Sequence, residues 1–180
     1  MVELAAPAKA RSSLRYDTGA AFVASLAGSA FAAGGALDVA LAPRAGHWMA
    51  RLSLTGESLR AITLSPGHVD WTRAAVGLGP RLRLRARARW LFDVWAEALA
   101  ALLVANGSGF VRNQQSFNFD PGIGGGVRVS LRYGRFAPFV GIGIAGWLRQ
   151  QQLSVTATNN SVSVPRFEAL FSAGASLGRI

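Results

Sequence analysis

Residues 122–149 carry the feature that most restricts the fold. They read GIGGGVRVSLRY, then GRFAP, then FVGIGIAGWLR. In the first limb Ile123, Val127, Val129, Leu131 and Tyr133 share one parity, against Gly122, Gly124, Gly126, Arg128, Ser130 and Arg132 on the other. In the second limb Val140, Ile142, Ile144 and Leu148 alternate with Phe139, Gly141, Gly143, Trp147 and Arg149. A repeat of two is the strand period, because successive side chains leave a pleated strand on opposite faces. Each limb exceeds the ~5–6 residues of an ordinary strand and matches the ~9–11 that a tilted strand needs to cross a bilayer. One face is aliphatic, the other glycine and arginine. A soluble sandwich would turn the aliphatic face inward. A membrane barrel turns it outward to lipid and lines its interior with small and charged residues.

Composition favours the second arrangement. Of 180 residues, 51% are hydrophobic and 16% charged, below the ~25% charged of an average soluble protein. Yet the longest unbroken apolar run is 98–105, far short of the ~18 residues of a membrane-spanning helix. A chain that is apolar without long apolar runs, and holds 21 glycines, suits strands.

Six further strands are predicted by the same alternation, near residues 16–26, 36–42, 47–55, 70–84, 90–104 and 166–177, making eight with the two limbs. Pro80 interrupts the fourth, since proline donates nothing to a ladder. The fifth is ambiguous. Its Ala, Leu and Glu residues favour helix, and Asp93 and Glu97 would share a helical face. Its length and its place between strands assign it to strand. The connections alternate between short turns near 43–46, 85–88 and 134–137 and longer loops at 28–35, 56–67, 105–121 and 150–164. That alternation predicts an up-and-down barrel with every long loop at one rim. Residues 1–14 read as a flexible lead with no apolar segment and cleavage site of an export signal, followed by one domain over 15–180.

The candidate site is the polar parity of these strands. Asp38, Arg51, Arg73, Arg81, Arg83, Asp93, Glu97, Arg128, Arg132, Arg149, Arg166 and Glu168 all lie opposite the aliphatic face. An eight-stranded barrel is only wide enough to be filled by side chains, and buried charge has to be paired. The four acids and the arginines are therefore expected to form planar Arg–carboxylate pairs across the lumen. Inward glycines would make room for Trp71, Trp95 and Trp147. Trp48, Trp90 and Tyr133, on the outward parity near the turns, are expected to form an aromatic belt at the membrane interface.

Other chemistries leave weaker traces. The net charge is +10, carried by arginine with a single lysine, Lys9. The stretch PRLRLRARARW at 80–90 could track phosphates as one stripe, but no RNA-binding aromatic motif or basic helix accompanies it. Gly122–Gly126 lacks the Gly-Lys-Ser/Thr of a phosphate loop. Cysteine is absent, which removes disulfides and cysteine–metal sites. His68, Asp70 and Ser65 could form a hydrolytic set at the outer rim, but such residues also make an ordinary polar loop. No catalytic residue, cofactor or metal site is expected.

The pattern resembles the small outer-membrane β-barrels of Gram-negative bacteria, the OmpA/OmpX-like eight-stranded type. Its Arg/Ala/Gly style is similar to barrels of myxobacteria. The resemblance covers residues 16–180 and rests on alternation and loop sorting. Two features depart from the family pattern: the export signal, and the C-terminal aromatic, in whose place stands Leu177-Gly178-Arg179-Ile180. The resemblance implies an all-β, eight-stranded antiparallel up-and-down transmembrane barrel in the outer membrane, structural or surface-interacting, non-enzymatic and monomeric. Its implied partners are the lipid bilayer, lipopolysaccharide and the barrel-assembly machinery, with no nucleic acid. The loops 106–120 and 150–162 would carry the interaction, and a plugged lumen would conduct little or nothing. The alternatives are a soluble β-barrel binding an apolar ligand and a rim enzyme acting on lipid.

Overall fold

The computed structural model describes residues 14–43, 46–64, 67–87, 89–109, 115–155 and 160–179. It contains eleven strands: β1 (Leu14–Ala27), β2 (Ala30–Pro43), β3 (Trp48–Glu57), β4 (Arg60–Leu64), β5 (Gly67–Arg87), β6 (Trp90–Ser108), β7 (Gln115–Leu131), β8 (Phe136–Trp147), β9 (Gln152–Val155), β10 (Asn160–Ser163) and β11 (Phe167–Arg179). Neighbours pair antiparallel in sequence order, and β11 returns to pair with β1. Both β3 and β4 pair with β5, so together they act as one wall strand. The result is a closed barrel of eight walls, sealed by the β3–β5 ladder, which is how an all-β chain satisfies its backbone in lipid. The short hairpin β9–β10 stands beyond the barrel, between β8 and β11.

The faces are inverted relative to a soluble protein. Phe22 is 85% exposed and Ile144 69%, whereas Asp17 and Asp93 are wholly buried. Leu37, Leu52, Leu78, Ile123, Val140 and Phe171 continue the apolar exterior around the wall. So large an apolar surface is not sustained in water. Along β2 it runs from Phe31 to Leu41; at a tilt of about 40° such a stretch rises ~26 Å, against the ~25 Å apolar band of membrane barrels.

The ambiguous fifth segment is strand throughout, as β6. Its seventeen-pair ladder with β7 explains why tertiary pairing overrides its helical composition. Pro80 sits inside β5 on the exterior and is paired with Ala50 of β3; on the β6 side the ladder skips Gly79 and Pro80 without losing register.

The predicted long loops are largely wrong. The stretch 28–35 reduces to a two-residue turn, with Gly28 at φ 60°, and β2 begins at Ala30. Its small residues serve close strand approach: a Cβ on Gly34 would stand 2.0 Å from the Gly56 carbonyl oxygen. The stretch 56–67 contains β4, and 106–120 supplies the end of β6 and the start of β7. The stretch 150–162 contains β9 and the start of β10. Nor is 85–87 a turn, because β5 continues to Arg87 through a bulge. At the loop rim the strands extend beyond the apolar band, and their polar exteriors imitate irregular structure in the sequence. Of the lead, Leu14 already belongs to β1, and residues 1–13 lie outside the described residues.

Candidate functional site

The lumen is packed in layers. At the loop end Ala27, Val69, Trp71, Leu103, Ala105 and Val164 form an apolar cluster, with Ile62 and Val162 packed against it. Val162 belongs to β10 and Val164 follows it, so the hairpin segment folds its apolar side over the barrel mouth.

Beneath lies the upper charged layer. Arg73 reaches Glu168 at 2.6 Å and Asp120 at 3.0 Å. Arg60 reaches Glu57 at 2.6 Å and Glu168 at 3.6 Å, and also donates to the Ser25 hydroxyl. Arg73 is held between two indoles, 4.6 Å from the centre of Trp147 and 5.3 Å from that of Trp71. Cation–π contacts of this kind fix the plane of a guanidinium whose edge is committed to carboxylates.

The lower layer is denser. Asp17 accepts from Arg81 at 2.7 Å, from Arg128 at 3.0 Å and from Arg83. Asp93 accepts from Arg83 Nε at 2.8 Å, from Arg128 Nε at 3.1 Å and from Arg81. Asp38 stands 3.3 Å from Arg81 and 3.6 Å from Arg128. Arg51 pairs with Glu97, whose Oε2 also accepts from Ser53 at 2.8 Å. Four arginines thus face four carboxylates, and no pair stands alone. Arg83, Asp93 and Arg128 are direct cross-strand neighbours on β5, β6 and β7, so the ladder register itself builds this part of the network.

Glycine supplies the room. A Cβ on Gly77 would lie 2.5 Å from Glu97 Oε2, and one on Gly126 would lie 2.6 Å from Trp95 Cζ2 and 2.3 Å from the Ile142 carbonyl oxygen. Between the layers is a cavity of about 100 Å³, bordered by Arg73, Arg81, Arg128, Glu97, Trp95 and Trp147 among others.

The structure brings together Asp38, Arg51, Arg73, Arg81, Arg83, Asp93, Glu97, Arg128 and Glu168. It does not bring Arg132, Arg149 or Arg166 into this set. Arg132 donates to the Gly134 carbonyl at the turn rim, Arg166 to the Trp147 carbonyl at the loop rim, and Arg149 is exposed beyond the end of β8. Parity alone counted these three as inward, but beyond the strand ends the alternation no longer directs a side chain to the lumen. Sequence reasoning missed Asp17, Glu57, Arg60 and Asp120. Asp17 carries a legible signal, since it falls opposite Tyr16 and Thr18. Arg60 does not. Between the pairs Gly56–Ala74 and Arg60–Trp71, four steps on one side oppose three on the other. This bulge reverses the parity of everything after it.

Trp48, Trp90 and Tyr133 stand exposed on the exterior at the turn rim. At the loop rim His68 Nε2 meets the hydroxyl of Ser108, its cross-strand partner, at 2.7 Å, while Ser65 lies outside the described residues. Asp70 approaches the same ring nitrogen, at 3.8 Å. A hydrolytic relay needs the carboxylate on the other nitrogen, where it orients the ring. Among the described residues no group of three or more His, Asp or Glu could hold a metal ion.

Solved structures share this architecture. The outer membrane protein OprG of Pseudomonas aeruginosa superimposes with a TM-score of 0.65 at 10% identity, over 92% of this chain and 95% of its own. A major outer membrane protein of Thermus thermophilus gives 0.63 at 10%, over 92% and 99%. Neisserial surface protein A gives 0.60 at 14%, over 92% and 97%. No protein-family model and no curated protein sequence matches the chain. At such identities the likeness is one of architecture: this chain has the fold of the small, eight-stranded bacterial outer-membrane β-barrel.

Proposed function

We propose that this protein resides in an outer membrane as a closed barrel with a structural and surface-interaction role, and that it neither conducts nor catalyses. The observation that supports the reading is an apolar cap and two layers of Arg–carboxylate pairs in series inside a barrel of only eight walls. A small eight-stranded barrel has no width left for a channel once its interior is filled. Interaction is assigned to the loop end, where the β9–β10 hairpin shows exposed Gln152, Ser161 and Ser163, while Val162 packs against the apolar cap.

The test is conductance. Protein is refolded in detergent, its folded state verified by the mobility difference between boiled and unboiled samples on a gel, and inserted into planar bilayers. The expected result is a membrane current indistinguishable from bare bilayer. Reproducible porin-like steps would overturn the closed lumen while leaving the barrel intact.

A further inference from the structure

The net charge of the chain must reside somewhere other than the lumen. Among the described residues six lumen arginines face seven carboxylates, so this part of the interior is close to neutral and slightly acidic and does not account for the +10 of the chain. Among the described residues the one acid outside this set is Asp70, near the loop end of β5. Basic residues gather at the opposite rim. Arg89 lies in the β5–β6 turn, and Arg132 and Arg135 in the β7–β8 turn. Arg15, at the start of β1, donates to the Gly46 carbonyl at 3.1 Å. Among the described residues that rim has no carboxylate outside the lumen.

A second, independent feature coincides with it. Arg15-Tyr16, His47-Trp48, Arg89-Trp90, Arg132-Tyr133 and Arg135-Phe136 are adjacent pairs, each with its aromatic ring exposed. Both tyrosines and both exposed tryptophans are at this rim, while the loop end shows phenylalanines such as Phe31, Phe117 and Phe167. Trp and Tyr settle at head-group depth. In four of these pairs an arginine one residue from the ring is therefore held at the depth of the lipid phosphates, within the reach of a snorkelling side chain.

We propose that the turn-side rim is a binding surface for anionic phospholipid head groups of the phosphatidylglycerol type, in the leaflet on the turn side. Guanidinium groups pair with phosphate oxygens in a planar fork, and the rim offers Arg89, Arg132 and Arg135 no competing carboxylate. The proposal rests on the membrane reading above.

The test uses the full chain, folded in detergent and verified by gel mobility, then exposed to an equimolar mixture of phosphatidylglycerol and phosphatidylcholine. Retained lipid is counted by native mass spectrometry. Wild type is expected to retain phosphatidylglycerol preferentially. The triple variant Arg89→Gln/Arg132→Gln/Arg135→Gln, which touches no lumen pair, should lower that preference at least about tenfold, since each rim cation contributes to attraction by an anionic surface. The loop-end variant Arg149→Gln/Arg166→Gln should retain it. Equal retention of both lipids by wild type, an unchanged ratio in the triple variant, or an equal loss in the loop-end variant would overturn the proposal. Displacement by soluble glycerol phosphate at matched concentration would likewise overturn it, by marking a general anion site. A folded barrel without lipid preference sinks this inference alone, whereas a chain that never folds in detergent or vesicles sinks the membrane reading with it.

Discussion

Replacing Asp93 by Asn tests the lumen network most directly. The side chain is wholly buried, and its two oxygens take hydrogen bonds from Arg81, Arg83 and Arg128. The substitution preserves shape and removes one charge, leaving four arginines facing three carboxylates. At a separation of 3.0 Å, that of Arg128 and Asp93, and an effective dielectric near 20, each contact is worth about 5 kcal/mol of Coulomb energy before desolvation is subtracted. Breaking a buried pair by removing one partner costs roughly 3–5 kcal/mol, because the surviving charge stays buried and uncompensated. The expected loss is therefore about 3–5 kcal/mol. It is read from the shift in urea midpoint of the detergent-folded barrel, followed by gel mobility and tryptophan fluorescence. The double variant Arg83→Met/Asp93→Leu removes the charge in pairs and is expected to recover most of that loss. A cost below ~1 kcal/mol for Asp93→Asn, the scale of an exposed ion pair, would show that water reaches this layer and screens it, and the closed-lumen reasoning would fail with it.

Two other outcomes check the packing. Gly126→Ala should destabilise the barrel by about 1–3 kcal/mol, since its Cβ would meet both the Ile142 carbonyl and the Trp95 ring; the same urea titration measures it, and a neutral result would mean the β7–β8 wall yields more than its register allows. Ile142→Arg, on the apolar exterior midway along β8, should cost roughly 2–4 kcal/mol in a bilayer; the measurement is the unfolding free energy in lipid vesicles, and no cost would mean that this face does not meet lipid.

What the sequence made legible follows from what alternation can encode. Period two marks strands and their two faces, and it placed Asp38, Arg81, Asp93, Arg128 and Glu168 opposite the aliphatic residues with no knowledge of the pairing. Alternation alone leaves β6 open between helix and strand; its length and its place between strands assign it, because a closed barrel admits no helix between two walls. Alternation loses its grip where a strand is interrupted or ends. Beyond Ser58 the bulge shifts parity, which hid Arg60. At the loop rim the strands outrun the lipid band, so their exteriors become polar and alternation in hydrophobicity fades although the ladder continues. Asp120 was hidden for that reason. Past the strand ends the reverse error occurs, and Arg132, Arg149 and Arg166 keep the right parity without any wall to hold them inward.

The same distinction separates two uses of arginine within one chain. An arginine in the lumen is buried, so its charge is tolerable only with carboxylates within hydrogen-bond reach, and seven of the nine acids of the chain are there. That concentration leaves the rims with almost none. Arg89 and Arg135 are exposed in turns, past the strand ends that would direct them inward, while the acids are committed to the interior. A barrel that must fill a narrow lumen with paired charge, from a chain that holds twice as many basic as acidic residues, is thereby forced to present a basic surface. The register of the strands decides which arginines are structural, and the turns decide where the surplus meets its surroundings.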